Sequence, residues 1–75
     1  MLIGMNVEEA LLELDRFLDL ASRSHMETVR IVHGKGTGTL RAAVQKHLRH
    51  HKQVKEFRLG LYGEGENGVT IATLK

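Results

Sequence analysis

The sequence has no cysteine, no proline and no tryptophan, and its only aromatic residues are Phe17, Phe57 and Tyr62. Without cysteine there is no disulfide framework, no thiolate zinc site and no thiol nucleophile, which removes a large class of enzymes and of metal-held small domains. Few aromatics argue against a single-strand stacking platform. Phe17 and Phe57 are expected in the core, which leaves Tyr62 alone to stack on a base. No apolar run approaches the roughly 18–20 residues that span a bilayer, and the segment at Met1 lacks the basic-then-apolar pattern of a secretory leader. The expectation is a soluble, cytoplasmic domain with no membrane partner. A chain of 75 residues hides only about 60–65% of the surface that its unfolded form exposes, so one thin core and a single domain over residues 1–75 are expected.

The formal net charge is +2, but it is unevenly distributed. Residues 1–22 carry Glu8, Glu9, Glu13, Asp15 and Asp19 against Arg16, a net −4. Residues 23–58 carry nine Lys and Arg against Glu27 and Glu56, a net +7, and hold all five histidines. A basic middle of this kind suits an anionic partner, although a solvated helix face would give the same count.

Met1-Leu2-Ile3, ended by Gly4, reads as the tail of a strand, and its abrupt start is that of a domain belonging to a longer protein. Asn6 offers an N-cap with Glu9 three residues on to complete a capping box. From there Val7, Ala10, Leu11, Leu14, Phe17, Leu18 and Ala21 fall within about 120° on a helix, with the acids outside that arc and Leu12 and Leu20 off the stripe. Thr28 to Val32 is β-branched and reads as a strand. A second helical period runs from Leu40 through Ala43, Val44, His47, Leu48 and His51. Val54 to Leu59 and Val69 to Leu74 read as two further strands. The order is β-α-β-α-β-β. It predicts an α/β two-layer sandwich in which parallel β-α-β steps give a four-stranded mixed sheet with both helices on one face.

Between the second predicted strand and the second helix lies His33-Gly34-Lys35-Gly36-Thr37-Gly38. Glycine lets backbone approach an anion closely, the first-turn N–H groups of a helix lack intrahelical partners, and the helix dipole adds positive potential. Lys35 and Arg41 add full charges. The segment is neither a Walker A loop nor a Gly-x-Gly-x-x-Gly fingerprint, because position 39 is Thr, so binding of nucleotides by those folds is not expected. The bland alternative is a glycine turn that joins two elements.

The stretch from His33 to Arg41 resembles the His-Gly-x-Gly signature of the Smr (small MutS-related) domain. Val29 to Val32, Val7-Glu8-Glu9-Ala10 and Gly65-Glu66-Asn67-Gly68-Val69-Thr70 are similar to the corresponding stretches of that family, in the form carried at the C-terminus of a bacterial MutS paralogue. The resemblance implies a fold like the C-terminal domain of translation initiation factor three. It also implies binding of branched or duplex DNA or of RNA, nicking endonuclease activity, a parent MutS-like protein that restrains recombination and, in some bacteria, the ribosome as a partner. Three positions depart from the pattern. Aligning Gly4 with the family's Leu-Asp-x-His-Gly puts Ile3 at the histidine and Met1 at the aspartate, and Glu66 stands where a second glycine is usual.

Hydrolysis of a phosphodiester needs a proton acceptor or donor and stabilisation of charge on phosphorus. His33 is the candidate acid or base, because histidine ordinarily titrates near pH 6.5. Gly34, Lys35, Gly36, Thr37, Gly38 and Arg41 are the candidate phosphate ligands. The alternative for His33 is a strand-end residue held by hydrogen bonds. No carboxylate cluster suggests a metal site, although a divalent ion is compatible with such a reaction. His47 and His51 have a spacing that can share zinc, with His50 adjacent, but no third ligand is evident in the sequence. Three functions follow: a nuclease domain, a non-catalytic nucleic-acid-binding module, or a protein-interaction or dimerisation domain using Leu12, Leu20 and the acidic helix.

Overall fold

Asn6 starts the first helix of the computed structural model, which describes residues 1–75. Its side-chain oxygen accepts from the backbone N–H of Glu9 at 2.9 Å, and the Glu9 carboxylate accepts from the Asn6 N–H at 3.4 Å. This capping box satisfies two donors that a helix start leaves free. Helix α1, Val7–Arg23, buries Ala10, Leu14, Leu18 and Ala21, the spine of the expected stripe. Leu12 and Leu20 lie exposed. Strand β1, Thr28–Val32, alternates as a half-buried strand should, with Val29 and Ile31 inward. Helix α2, Thr39–Arg49, buries Val44 and Leu48. Strand β2 spans Val54–Leu59, and a single 3-10 turn, Glu66–Gly68, leads into strand β3, Val69–Leu74.

The sheet has three strands in the order β1-β3-β2, and both pairings are antiparallel. The expected four-stranded mixed sheet is not formed, for two reasons. First, the chain turns at Ile3–Gly4, where Gly4 has φ +83 and Met5 N–H returns to the Leu2 carbonyl. Leu2 therefore makes one backbone bond to Val32, at 2.8 Å, and no ladder follows. Second, β1 and β2 do run parallel to each other, as a β-α-β unit requires, but β3 inserts between them and pairs with each. Leu2 is nonetheless fully buried, so the segment serves as a core plug where a strand was expected.

A register shift between Val54 and Glu56 is what lets β2 face the core. Val54 and Phe57 are three apart and would point to opposite faces of a regular strand. The extra residue, Lys55, puts Val54 opposite Leu74 and Phe57 opposite Ala72, two inward positions of β3. One cluster then joins Leu2, four residues of α1, two of α2 and the inward residues of the sheet. Both helices thus cover the same face, giving a two-layer α/β domain. No helix is long and apolar enough to cross a membrane.

The β2–β3 connection is held by Glu64, whose carboxylate accepts from both Arg58 guanidinium nitrogens, at 2.7 and 3.2 Å, and from the Leu61 N–H at 2.8 Å. The Arg58 bonds, followed by the Leu61 N–H, hold the Glu64 carboxyl well below its usual range, at about 2. A pKa depressed by folding adds stability that is complete above the unfolded value and is lost as pH falls through the folded one. Glu64→Gln should therefore remove one component of the acid-induced loss between about pH 4.5 and about pH 2, read as urea midpoints for both proteins across that range. Gly65 gives a sharper stability test. Its φ is +105, and a Cβ there would stand 2.3 Å from Val69 Cγ2 and 3.0 Å from Val69 Cβ, a stiff β-branched neighbour. Gly65→Ala should cost about 2–3 kcal/mol, which lowers Tm by roughly 10 °C or more in a domain of this size.

Candidate nucleic-acid interface

Strand β1 stops at Val32 because the next two N–H groups, of His33 and Gly34, both donate to the Gly68 carbonyl, at 3.1 and 2.9 Å. The chain then bends through three left-handed glycines, Gly34 at φ +82, Gly36 at +38 and Gly38 at +88. Alternation of such residues with ordinary ones makes a concave run of backbone donors, and glycine occupies these positions without steric cost. The N–H groups of Lys35, Gly36, Thr37 and Gly38 have no acceptor in the protein, nor do those of Leu40 and Arg41 in the first turn of α2. Gly38 is the N-cap and has no side chain to satisfy them. The Thr37 hydroxyl pairs with the Thr39 hydroxyl at 2.9 Å and accepts from the Thr39 N–H at a long 3.4 Å.

Two cations stand over these donors. Lys35 is largely exposed, with its Nζ 3.8 Å from a Glu66 carboxylate oxygen, a loose pair that leaves the ammonium available. The Arg41 guanidinium folds back over the loop, with Nη2 3.0 Å from the place where a Cβ on Gly38 would be. Together with Ile3 to Val7 and Leu40, these residues line a cleft of about 510 Å³ with no aspartate or glutamate in its wall. All seven residues singled out in the sequence, His33 through Gly38 and Arg41, border this one cleft. The cleft therefore suits an anion and offers no carboxylate set for a metal ion.

His33 is placed differently from its neighbours. It is only 3% exposed, and both ring nitrogens are engaged: Nδ1 lies 2.9 Å from the Gly34 carbonyl and Nε2 2.8 Å from the Thr70 hydroxyl. A carbonyl only accepts, so Nδ1 carries the proton, and in the neutral ring Nε2 accepts from Thr70. This is the strand-end arrangement considered as the alternative for His33. It fastens the loop to β3, and Nε2 can serve a substrate only by releasing Thr70.

Thr70 and Gly68 were not singled out as site residues. Thr70 is fully buried beneath the cleft, and Gly68 packs against Gly34, whose Cα lies 3.7 Å from where a Gly68 Cβ would stand. Both belong to the Gly65–Thr70 stretch, but nothing in their spacing couples them to a loop more than thirty residues away. Ile3, at the signature's histidine position, does reach the site. It is 64% exposed, and its Cγ1 lies 3.2 Å from where a Gly34 Cβ would be, so an alkyl group forms the wall beside the loop. Glu66, at the usual glycine position, has φ +50, the left-handed conformation that explains why glycine is favoured there.

The family model described as "Smr domain" matches residues 2–75. Proteins named endonuclease MutS2 from Staphylococcus aureus are 56% identical over 72 residues, which is 96% of this chain and 9–10% of theirs. The chain thus spans about a tenth of the length of the curated relatives it matches. The crystal structure of the Smr domain of Thermus thermophilus MutS2 superposes with a TM-score of 0.96 at 46% identity, covering 99% of this chain and 92% of that one. The stand-alone small MutS-related protein YdaL from Escherichia coli shares the fold, with a TM-score of 0.89 at 24% identity over 96% of this chain and 60% of its own. With the glycine loop, the two-helix sandwich and these relatives in agreement, the chain belongs to the Smr domain family.

Proposed function

We propose that this domain binds the phosphodiester backbone of nucleic acid on its glycine loop, as the part of a MutS2-like endonuclease that holds the strand. The observation that carries the reading is the set of unpartnered N–H groups of Lys35 to Gly38 and of Leu40 and Arg41 beneath two cations, in a cleft with no acidic residue. A phosphate in that cleft accepts from Gly36, Thr37 and Gly38 N–H groups and pairs with Lys35 and Arg41. Backbone contacts of this kind position a strand without reading its sequence. The name endonuclease, which the relatives carry, supports a finer reading in which the domain nicks DNA in a MutS-like protein that restrains recombination. In that reaction water adds to phosphorus, one P–O bond breaks and a proton reaches the leaving oxygen. His33 is the group nearest the loop that can move that proton, with Thr70 as its exchange partner.

Lys35→Ala and Arg41→Ala should each weaken binding to duplex DNA about equally for all sequences and reduce the slope of log K against log salt by roughly 1, read by fluorescence anisotropy over a salt series. Unchanged slopes in both variants would remove the loop from the interface. Parallel assays with structured RNA decide which nucleic acid is preferred.

For catalysis, supercoiled plasmid is incubated with the wild type and with His33→Ala, and DNA binding is measured alongside. Retained binding with loss of nicking assigns the proton transfer to His33, whereas equal nicking excludes it. Binding by the wild type with no nicking leaves a strand-holding module. His33→Ala also strands the Thr70 hydroxyl, so a stability loss of about 1–3 kcal/mol is expected in urea unfolding.

A further inference from the structure

The one histidine pair with ligand spacing acquires, on folding, the third group that is not evident in the sequence. His47 lies in the last turn of α2 and His51 two residues past its end, and their Nε2 atoms converge on a single oxygen, Asp15 Oδ1 of α1, at 2.7 and 3.4 Å. The three donor atoms lie within 4.8 Å of one another. We infer that Asp15, His47 and His51 form a binding site for a divalent zinc-class metal ion between the two helices.

The geometry is close to what such an ion requires. With bonds of about 2.0–2.1 Å, a tetrahedral ion separates neighbouring donor atoms by about 3.3 Å. The His51–Asp15 separation of 3.4 Å already meets that figure, and the 2.7 Å His47–Asp15 bond has to open by a few tenths of an ångström. Asp15 is half-exposed and sits at mid-helix, so its carboxylate can make that adjustment. Two imidazoles with one carboxylate favour zinc and its neighbours over magnesium or calcium, which prefer oxygen donors alone. Three protein ligands leave a fourth position open. The three ligands line a cleft of about 720 Å³ whose wall also includes His50 and the cations Lys46 and Lys52, which suit hydroxide or another anion as the fourth ligand. This cleft is separate from the glycine-loop cleft and meets it only at Val7.

One contact opposes binding and sets its strength. The Gln53 N–H donates to His51 Nδ1 at 3.2 Å, which puts the His51 proton on Nε2. Coordination through Nε2 moves that proton to Nδ1 and breaks the Gln53 bond. A ligand imidazole whose second nitrogen lacks an acceptor binds less tightly, by about 10–100-fold. The site is therefore a reversible one, weaker than a four-ligand structural zinc centre. What the ion does when bound is join α1 to the end of α2, because Asp15 comes from α1 and the two histidines from the last turn of α2 and the residues just after it.

The test is calorimetric titration of the metal-free chain with zinc chloride, with cobalt(II) as a spectroscopic substitute and thermal unfolding as an independent readout. One ion per chain is expected, with the visible absorption of four-coordinate cobalt and a Tm rise of about 5 °C or more at hundredfold excess over Kd. His47→Ala, His51→Ala and Asp15→Asn should each weaken binding by at least about tenfold, whereas His50→Ala should not change it. All three ligands are at least partly exposed, and circular dichroism of the metal-free variants checks that they fold. The inference is overturned if wild-type affinity equals that of the His47→Ala/His51→Ala double variant, or if His50→Ala costs as much as His47→Ala. It is also overturned if zinc leaves Tm unchanged.

Discussion

The arrangement at the glycine loop depends on how the end of β1 is fastened to the start of β3. The Gly68 carbonyl takes two consecutive N–H groups, and His33 spans from the Gly34 carbonyl to the Thr70 hydroxyl in the layer beneath. These bonds are buried or partly buried, so each one left unmade would cost desolvation of its donor or acceptor. They hold Gly34 rigidly enough that the following residues can leave their N–H groups free for solvent or an anion. A loop without that anchor would fold its donors onto its own carbonyls. The free donors of Lys35 to Gly38 are thus a consequence of the satisfied ones of His33 and Gly34.

The local elements were readable because each carried its own signal. The Asn6–Glu9 box and the β-branched runs at Thr28–Val32 and Val69–Thr73 are short-range patterns, and the elements formed where those patterns lie. The sheet order was not readable. Whether β3 lies at an edge or between β1 and β2 depends on which pairing buries Ala72 and Leu74, a long-range outcome that no window of sequence contains. The strand expected at Met1–Ile3 had the right composition, but it is the turn at Gly4 that decides how many bonds the segment can make. The bulge at Lys55 shows the same limit, since strict alternation in the sequence gives no hint that Val54 and Phe57 share a face.

At the site, the residue types were legible and their roles were only partly so. Gly34, Gly36 and Gly38 are where a positive φ is needed, and Lys35 and Arg41 stand beside the loop, so the grouping of these residues in one cleft followed from identity and spacing. His33 carried two readings, and burial distinguishes between its positions where composition cannot. The partners that define it, Thr70 above all, arrive from another strand. The same holds on the far side of α2. The pair His47 and His51 was visible as a spacing, but Asp15 sits in an acidic helix where nothing marks it out from Glu13 or Asp19 until the helices pack.

The strand latest in sequence is also the middle of the sheet, and this has a consequence for how the domain comes into being. Strands β1 and β2 share no hydrogen bonds, so neither has a sheet partner until residues 69–74 exist and have reached their place. During synthesis the two helices can form on their own, but the sheet has no partial version to settle into. The glycine loop, held by Gly68 and Thr70, is shaped at that same moment. An incomplete chain therefore cannot display the folded glycine loop.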